Sequence, residues 1–206
     1  MRPGVTPSSG SRRALKTDLT LSANAVKLIS VNTGRPRKVE ADGRTVRTSI
    51  WKTPREGRVV VNALNLEGDK QSDLRVHGGA RKAVYVYPSE HYEYWRRELP
   101  GMDLPWGVFG ENLTTEGLIE TAVCIGDRFQ IGTAEFQVTQ SRQPCFKLGI
   151  RFAREDMLKR FVAAGRPGFY VSVVQEGEIG GGDEIHIVER AHDSMSVSDH
   201  FRRRAS

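Results

Sequence analysis

Two cysteines, Cys124 and Cys145, are all the thiols in this 206-residue chain. Two are too few for the disulfide framework of a small secreted scaffold, and too few for an iron–sulfur cluster, which takes about four thiolates. The chain therefore reads as a protein of the reducing cytoplasm. Long apolar runs are missing as well. Stretches such as Arg58 to Leu64 and Thr121 to Ile125 are far shorter than the roughly 20 residues a membrane-spanning helix needs, so no bilayer crossing is expected. The opening MRPGVTPSSGSRR is punctuated by Pro, Gly and Ser and lacks the apolar centre of a secretory leader. A Walker loop, a GxSxG elbow, a GxGxxG after a first strand and paired zinc cysteines are all absent. No flavin or haem motif is recognisable either.

An excess of charge is present but confined to the ends. Of 31 Lys and Arg against 25 Asp and Glu, four cations and no acid fall in residues 1–16, and three more fall in 201–206. The segment from Thr17 to His200 then carries a net charge of −1. A basic balance ordinarily points to nucleic acid, but these Gly/Pro/Ser/Arg-rich ends read as solvated and the body lacks a concentrated basic face. Nucleic-acid binding is not expected. With 38% hydrophobic residues the body can build a core without covalent staples. The organisation expected is a disordered extension over residues 1–22, one domain over 23–191, and a basic tail over 192–206.

Strand signals dominate that domain. Val26 to Asn32, Arg44 to Trp51, Arg58 to Leu64 and Lys82 to Tyr87 are rich in β-branched or aromatic residues and bounded by turn formers. Asp127 to Ile131, Ala134 to Ser141, Gly168 to Val174 and Asp183 to Val188 continue the series. In the sixth of these eight, Phe136 and Val138 alternate with Glu135, Gln137 and Thr139, the period-two mark of a half-buried strand. Two segments read as helix. One follows Pro88, with Tyr92, Trp95 and Leu99 on one face; the other runs from about Glu155 to Ala164, with Gly165 as its stop. Many short strands and few helices predict a mainly β chain forming a closed or nearly closed barrel.

Three segments could carry chemistry. Leu64 to Pro88 gathers Asp69, Lys70, Asp73, Arg75, His77, Arg81 and Lys82 around Gly68, Gly78 and Gly79, just before a core strand. A Gly-Gly turn lets backbone N–H groups approach an anion, with Arg81 and Lys82 adding charged donors; a hairpin turn with solvated charges fits the same residues. Trp106 to Leu118 contains Phe-Gly-Glu-Asn-Leu, whose Glu111 and Asn112 suit the hydrogen-bonding edge of a heterocycle, and which equally suits a bulge entering a strand. Ser141 to Phe152 places Cys145 after Pro144 and between Arg142 and Lys147. Cationic neighbours favour a thiolate, the form that attacks electrophiles and binds soft metals, although a free cysteine also serves as a small buried apolar residue. Cys124, among apolar neighbours, better fits the inert role. A dyad of Cys145 with His77 or His91 is conceivable from composition alone.

Taken in order, LEGDKQ, VHGGARKAVYVYPSEHYEYW, FGENL, GDRF and SRQPCFKL resemble the motifs of MOSC domains of the YiiM-like branch, over roughly Ala25 to Ala191. The resemblance implies a β-barrel that binds molybdenum cofactor and reduces N-hydroxylated compounds, including N-hydroxylated base analogues. It implies that Cys145 ligates the metal and acts in catalysis. Lys70, His77, Gly78, Gly79, Arg81, Asn112, Arg142 and Lys147 are then the expected cofactor-binding residues. With no ligands for a reductant of its own, the chain is expected to take electrons from a separate flavoprotein. No pyridoxal phosphate is expected, because the domain that carries it in cofactor sulfurases does not fit this length. Relatives carry a C-terminal helical extension, and SVSDHFRRRAS resembles only its opening. Two other readings use the same thiol: a persulfide carrier and a cofactor-binding module.

Overall fold

A computed structural model describes residues 26–72 and 78–205. The expected extension over 1–22 and His77 lie outside them. The described strands are β1 (Lys27–Thr33), β2 (Arg37–Ala41), β3 (Arg44–Thr48), β4 (Thr53–Arg55), β5 (Val59–Asn62), β6 (Asn65–Leu66), β7 (Val84–Pro88), β8 (Leu113–Glu116), β9 (Arg128–Ile131), β10 (Ala134–Ser141), β11 (Phe169–Gln175), β12 (Gly177–Ile179) and β13 (Ile185–Glu189). The helices are α1 (Glu90–Glu98), α2 (Lys147–Phe152), α3 (Met157–Ala164) and α4 (Val197–Ala205).

Eight strands form one curled sheet in the order β13-β9-β10-β11-β7-β8-β1-β4. Its pairs are antiparallel except β7 with β8. A parallel pair requires a crossover, and α1 supplies it. The expected barrel describes this sheet only loosely, because the ladder does not close. β1, one strand in from the β4 edge, meets the residue before β13 through an isolated bridge between Lys27 and Glu184. Beside that bridge the Leu28 N–H donates to Asp183 O at 2.9 Å and the Ile185 N–H to Val26 O at 2.8 Å.

β7 shows how the sequence builds two cores at once. Its alternation places Val84 and Val86 in the sheet's interior with Leu28, Phe136 and Phe169, and Tyr85 and Tyr87 on the opposite face with Trp95, Phe109 and Phe161. Both faces are covered, so all five residues of the strand are buried. The second core is aromatic and lies under α1, α2 and α3. Within it the Trp95 Nε1–H donates to Tyr87 Oη at 2.7 Å, so the indole's one polar atom enters the core with a partner.

The two helices read from the sequence are present as α1 and α3. α2 was not anticipated, and α4 lies where the resemblance implies the opening of a helical extension. α2 spans six residues, contains Gly149, and ends at Ala153 with φ 50, so it carries too little periodicity to stand out. α4 occupies the region read as a basic tail. Its Arg202, Arg203 and Arg204 are exposed, but Val197 and Phe201, four apart, are buried against the body. The Ser198 N–H donates to Glu120 O at 3.0 Å, and His200 Nδ1 accepts from the Ser141 N–H at 3.2 Å.

A docked α4 predicts that Phe201→Ala lowers stability by about 3 kcal/mol through loss of buried area and the cavity left behind. Arg203→Ala, on the exposed face, should change it by less than about 0.5 kcal/mol. Urea unfolding of both variants measures this, and equal midpoints would show that α4 is not part of the cooperative unit.

Candidate functional site

β10 ends at Ser141, and Pro144, with no N–H to give a ladder, turns the chain toward α2. The Cys145 carbonyl accepts the Leu148 N–H at 3.0 Å, opening the first turn of that helix. Cys145 is half-buried here, on the wall of an open cleft of about 650 Å³. The facing wall comes from the end of β3 and the residues after it (Thr48, Ser49, Ile50, Lys52), with Asp69, Gln71, Tyr85 and Asn112 below.

Asn112 holds the floor together. Its Oδ1 accepts the Tyr85 N–H at 3.2 Å; its Nδ2 donates to Asn32 O at 3.2 Å and to Asp69 Oδ2 at 3.0 Å. Asp69 Oδ1 in turn accepts the Gly34 N–H at 2.8 Å and pairs with Lys52. Burial lowers the Lys52 pKa, with the Asp69 carboxylate pulling the other way. Next to Asn112, Glu111 is fully buried and accepts from the Gly107 N–H at 2.8 Å, the Phe109 N–H at 3.1 Å, Thr114 Oγ1 at 3.1 Å and the Tyr92 hydroxyl. Burial raises its pKa despite those donors. Gly110 completes the turn at φ +85, where a Cβ would come within 2.9 Å of Ile50 Cγ1. Glu111 thus fastens the loop that enters β8, and Asn112 both braces the backbone and lines the cleft.

Arg142 is the most committed cation of the site. It is 5% exposed, donates from Nη1 to Phe109 O at 2.6 Å, and lies over the Tyr85 ring with 4.5 Å to the centroid. Burial opposes its charge, but Tyr85, Tyr170 and Cys145 outweigh burial and raise its pKa. Lys147 also lines the cleft, and no described carboxylate lies within ion-pair distance of it.

Of the expected residues, Cys145, Asn112, Arg142 and Lys147 thus converge on one cleft. Lys70, Gly78, Gly79 and Arg81 do not line it. Lys70 is exposed, with its backbone N–H on Gly34 O at 3.2 Å and its carbonyl on the Ser49 hydroxyl at 2.6 Å. Gly79, at φ 90, gives its N–H to Gln71 Oε1 at 3.0 Å beside the half-buried Gly78. Exposed Arg81 reaches Thr139 O at 3.4 Å. His91, the other conceivable dyad partner, is also absent from the lining. Arg166 Nη1 donates to its Nδ1 at 3.1 Å, so the ring proton sits on Nε2 and is given to Glu120 at 2.7 Å. Cys124, apart from the cleft, bridges Ser196 and donates its N–H to Asp127 Oδ2 at 3.0 Å. Sequence reasoning passed over Lys52 and Tyr170, which no motif marks, and Gln143, although it lies inside SRQPCFKL; the fold brings all three to the cleft.

The Asn112 bonds predict a graded response. Asn112→Ala leaves the Tyr85 N–H and an Asp69 oxygen without partners and should cost about 2–3 kcal/mol. Asn112→Asp sets a second carboxylate against Asp69 and should cost more at pH 7, the excess shrinking as acid protonates one of the pair. Thermal unfolding across pH 4 to 7 (roughly the carboxylate range and above) tests this; an aspartate variant as stable as wild type would refute it.

Comparison with known proteins agrees with this geometry. The family model described as MOSC domain matches residues 73–186. Uncharacterized protein YflK of Bacillus subtilis is 42% identical over 170 residues, covering 82% of this chain and 76% of that protein. A protein called Reductase from Gibberella moniliformis is 38% identical over 173 residues, covering 82% of this chain but 30% of the fungal protein. The crystal structure of YiiM from Geobacillus stearothermophilus superposes with a TM-score of 0.73 at 36% identity, covering 87% of this chain and 84% of that one. On the match to the family model, the identity to YflK and the shared fold with YiiM, this chain belongs to the MOSC domain family.

Proposed function

We propose that the cleft holds a molybdenum cofactor and that the protein reduces N-hydroxylated compounds, base analogues among them, with electrons from a separate flavoprotein. The observation that carries this reading is the half-buried Cys145 thiol on a cleft shared with Arg142 and Lys147.

The donor set fits the group. Among the described residues no three His, Cys, Asp or Glu side chains converge as a metal cage. A single protein sulfur suits a metal whose other ligands come with its own organic scaffold. When bound, that group supplies a redox metal able to take oxygen from an N–OH bond. The net change is R–NHOH + 2e⁻ + 2H⁺ → R–NH₂ + H₂O: the N–O bond breaks, nitrogen gains two electrons, and the oxygen leaves as water.

The chain's own residues hold and orient. Cys145 presents sulfur from the start of α2. Lys147, two residues after the cysteine at the start of α2, would offer an ammonium to the cofactor's phosphate. Arg142, locked on Phe109 O and the Tyr85 ring, fixes a positive charge at the cysteine's back. Asn112 keeps the floor rigid, so the site is assembled before a ligand enters. The fungal relative's name agrees with the reaction class, and no described helix is long and apolar enough to cross a membrane. A reducing cytoplasm keeps the thiol free for this work.

Expressed with cofactor synthesis intact, wild type and Cys124→Ser should retain molybdenum and reduce an N-hydroxylated adenine with reduced methyl viologen as donor, and Cys145→Ser should lose both. Lys147→Ala should weaken cofactor retention by about tenfold, the worth of one charge-assisted hydrogen bond. Metal analysis and product chromatography measure these outcomes. Cyanide-releasable sulfur on Cys145 without molybdenum would replace this reading by that of a persulfide carrier.

A further inference from the structure

The β2–β3 hairpin is a two-stranded sheet of its own, with no third strand beside it. Such a ribbon is marginal in water, and this one carries a further handicap. Its register sets Lys38 directly opposite Arg47, a like-charge pair that works against the pairing. Residues 35–48 hold Arg35, Arg37, Lys38, Arg44 and Arg47 against Glu40 and Asp42, a net +3 in a body that totals −1. None of the five is in an ion pair, whereas Arg58, Arg128, Arg160 and Arg190 elsewhere each have a carboxylate.

The positive surface runs into the cleft. Arg37 lies over the Trp51 ring at 3.6 Å and Arg151 of α2 reaches the same ring at 6.0 Å. Burial and then Arg37 lower the Arg151 pKa, and its Nε is buried without a partner. Two guanidinium groups are thus held around one indole where an anion would relieve their repulsion. Thr48, paired with Arg37, and Lys147, one turn before Arg151, both line the cleft. Phe146, 55% exposed beside Cys145, adds an apolar element to the same rim.

We infer that the hairpin and the Arg37–Trp51–Arg151 base form the docking surface for an acidic protein, the electron donor required by the function proposed above, on which this inference rests. The mixture favours protein over nucleic acid. Half-buried Val39 and Val46 with exposed Phe146 give the apolar content that a protein interface uses and a phosphate backbone does not. Steering by opposite charge would raise the encounter rate and make it fall with salt.

The test uses an acidic flavodoxin as probe and the charge reversal Lys38→Glu with Arg47→Glu, which keeps a like-charge pair across the ribbon and so leaves its folding balance comparable. Arg203→Glu with Arg204→Glu on α4 is the control of equal charge change. Binding is titrated from about 50 to about 300 mM salt. We expect salt-sensitive binding by wild type, weakened at least about tenfold by the hairpin reversal and less than about threefold by the control. Viologen-driven reduction should be unchanged in both. No wild-type binding, or equal loss in the two variants, overturns the docking surface. So does hairpin-dependent binding of a DNA duplex or phosphatidylserine vesicles with flavodoxin binding unaffected. Absence of viologen-driven reduction in wild type instead refutes the function proposed above, and the binding titration reads the surface independently of it.

Discussion

The cleft depends on one buried amide. Asn112 reaches the N–H of one strand, the Asn32 carbonyl of another and a carboxylate, which arrive from three separate parts of the chain, and each would lose a buried hydrogen-bond partner if the amide were absent. An amide suits the position because it offers two donors and an acceptor in one fixed plane. The carboxylate it holds is the counter-charge of Lys52, so the amide also fixes where the buried ion pair lies. An isolated ion pair in a core is weak evidence for stability; here it is one member of a connected network in which Asp69 also binds the Gly34 N–H. Such networks favour a single arrangement over looser alternatives.

The layout of strands was legible where a local rule and the tertiary environment agree. Alternation in β10 marks a surface with one buried face, and the structure buries Phe136 and Val138 there. β7 was legible as a strand from its β-branched and aromatic content, but not its double burial, which needs the helical layer that only the folded chain provides. α2 was hidden because six residues with a glycine carry no periodic signal. α4 was legible only as the opening of the helical extension that the resemblance implies; a run of arginines dominates its composition, while two apolar residues four apart decide its packing.

Legibility of the site followed a different logic. Cys145 stood out through its motif, its proline and its cationic neighbours, all of them local. Asn112 stood out through a motif too, but its bracing role depends on Asn32 and Asp69, 80 and 43 residues away. Lys52 was invisible, since nothing near it distinguishes a lysine that pairs in the interior from one in solvent. Lys70 and Arg81 show the converse: a dense run of charges around glycines reads as a binding loop, while burial admits only some of its members to the cleft.

The parallel pairing of β7 with β8 has a consequence for the order of assembly. Tyr85 and Asn112 touch across a 27-residue excursion through α1, and Cys145 reaches the same wall only once β10 is in register with β11. The lining runs from Thr48 to Tyr170, so no short stretch of chain carries the cleft. The cleft exists only once those distant strands have met.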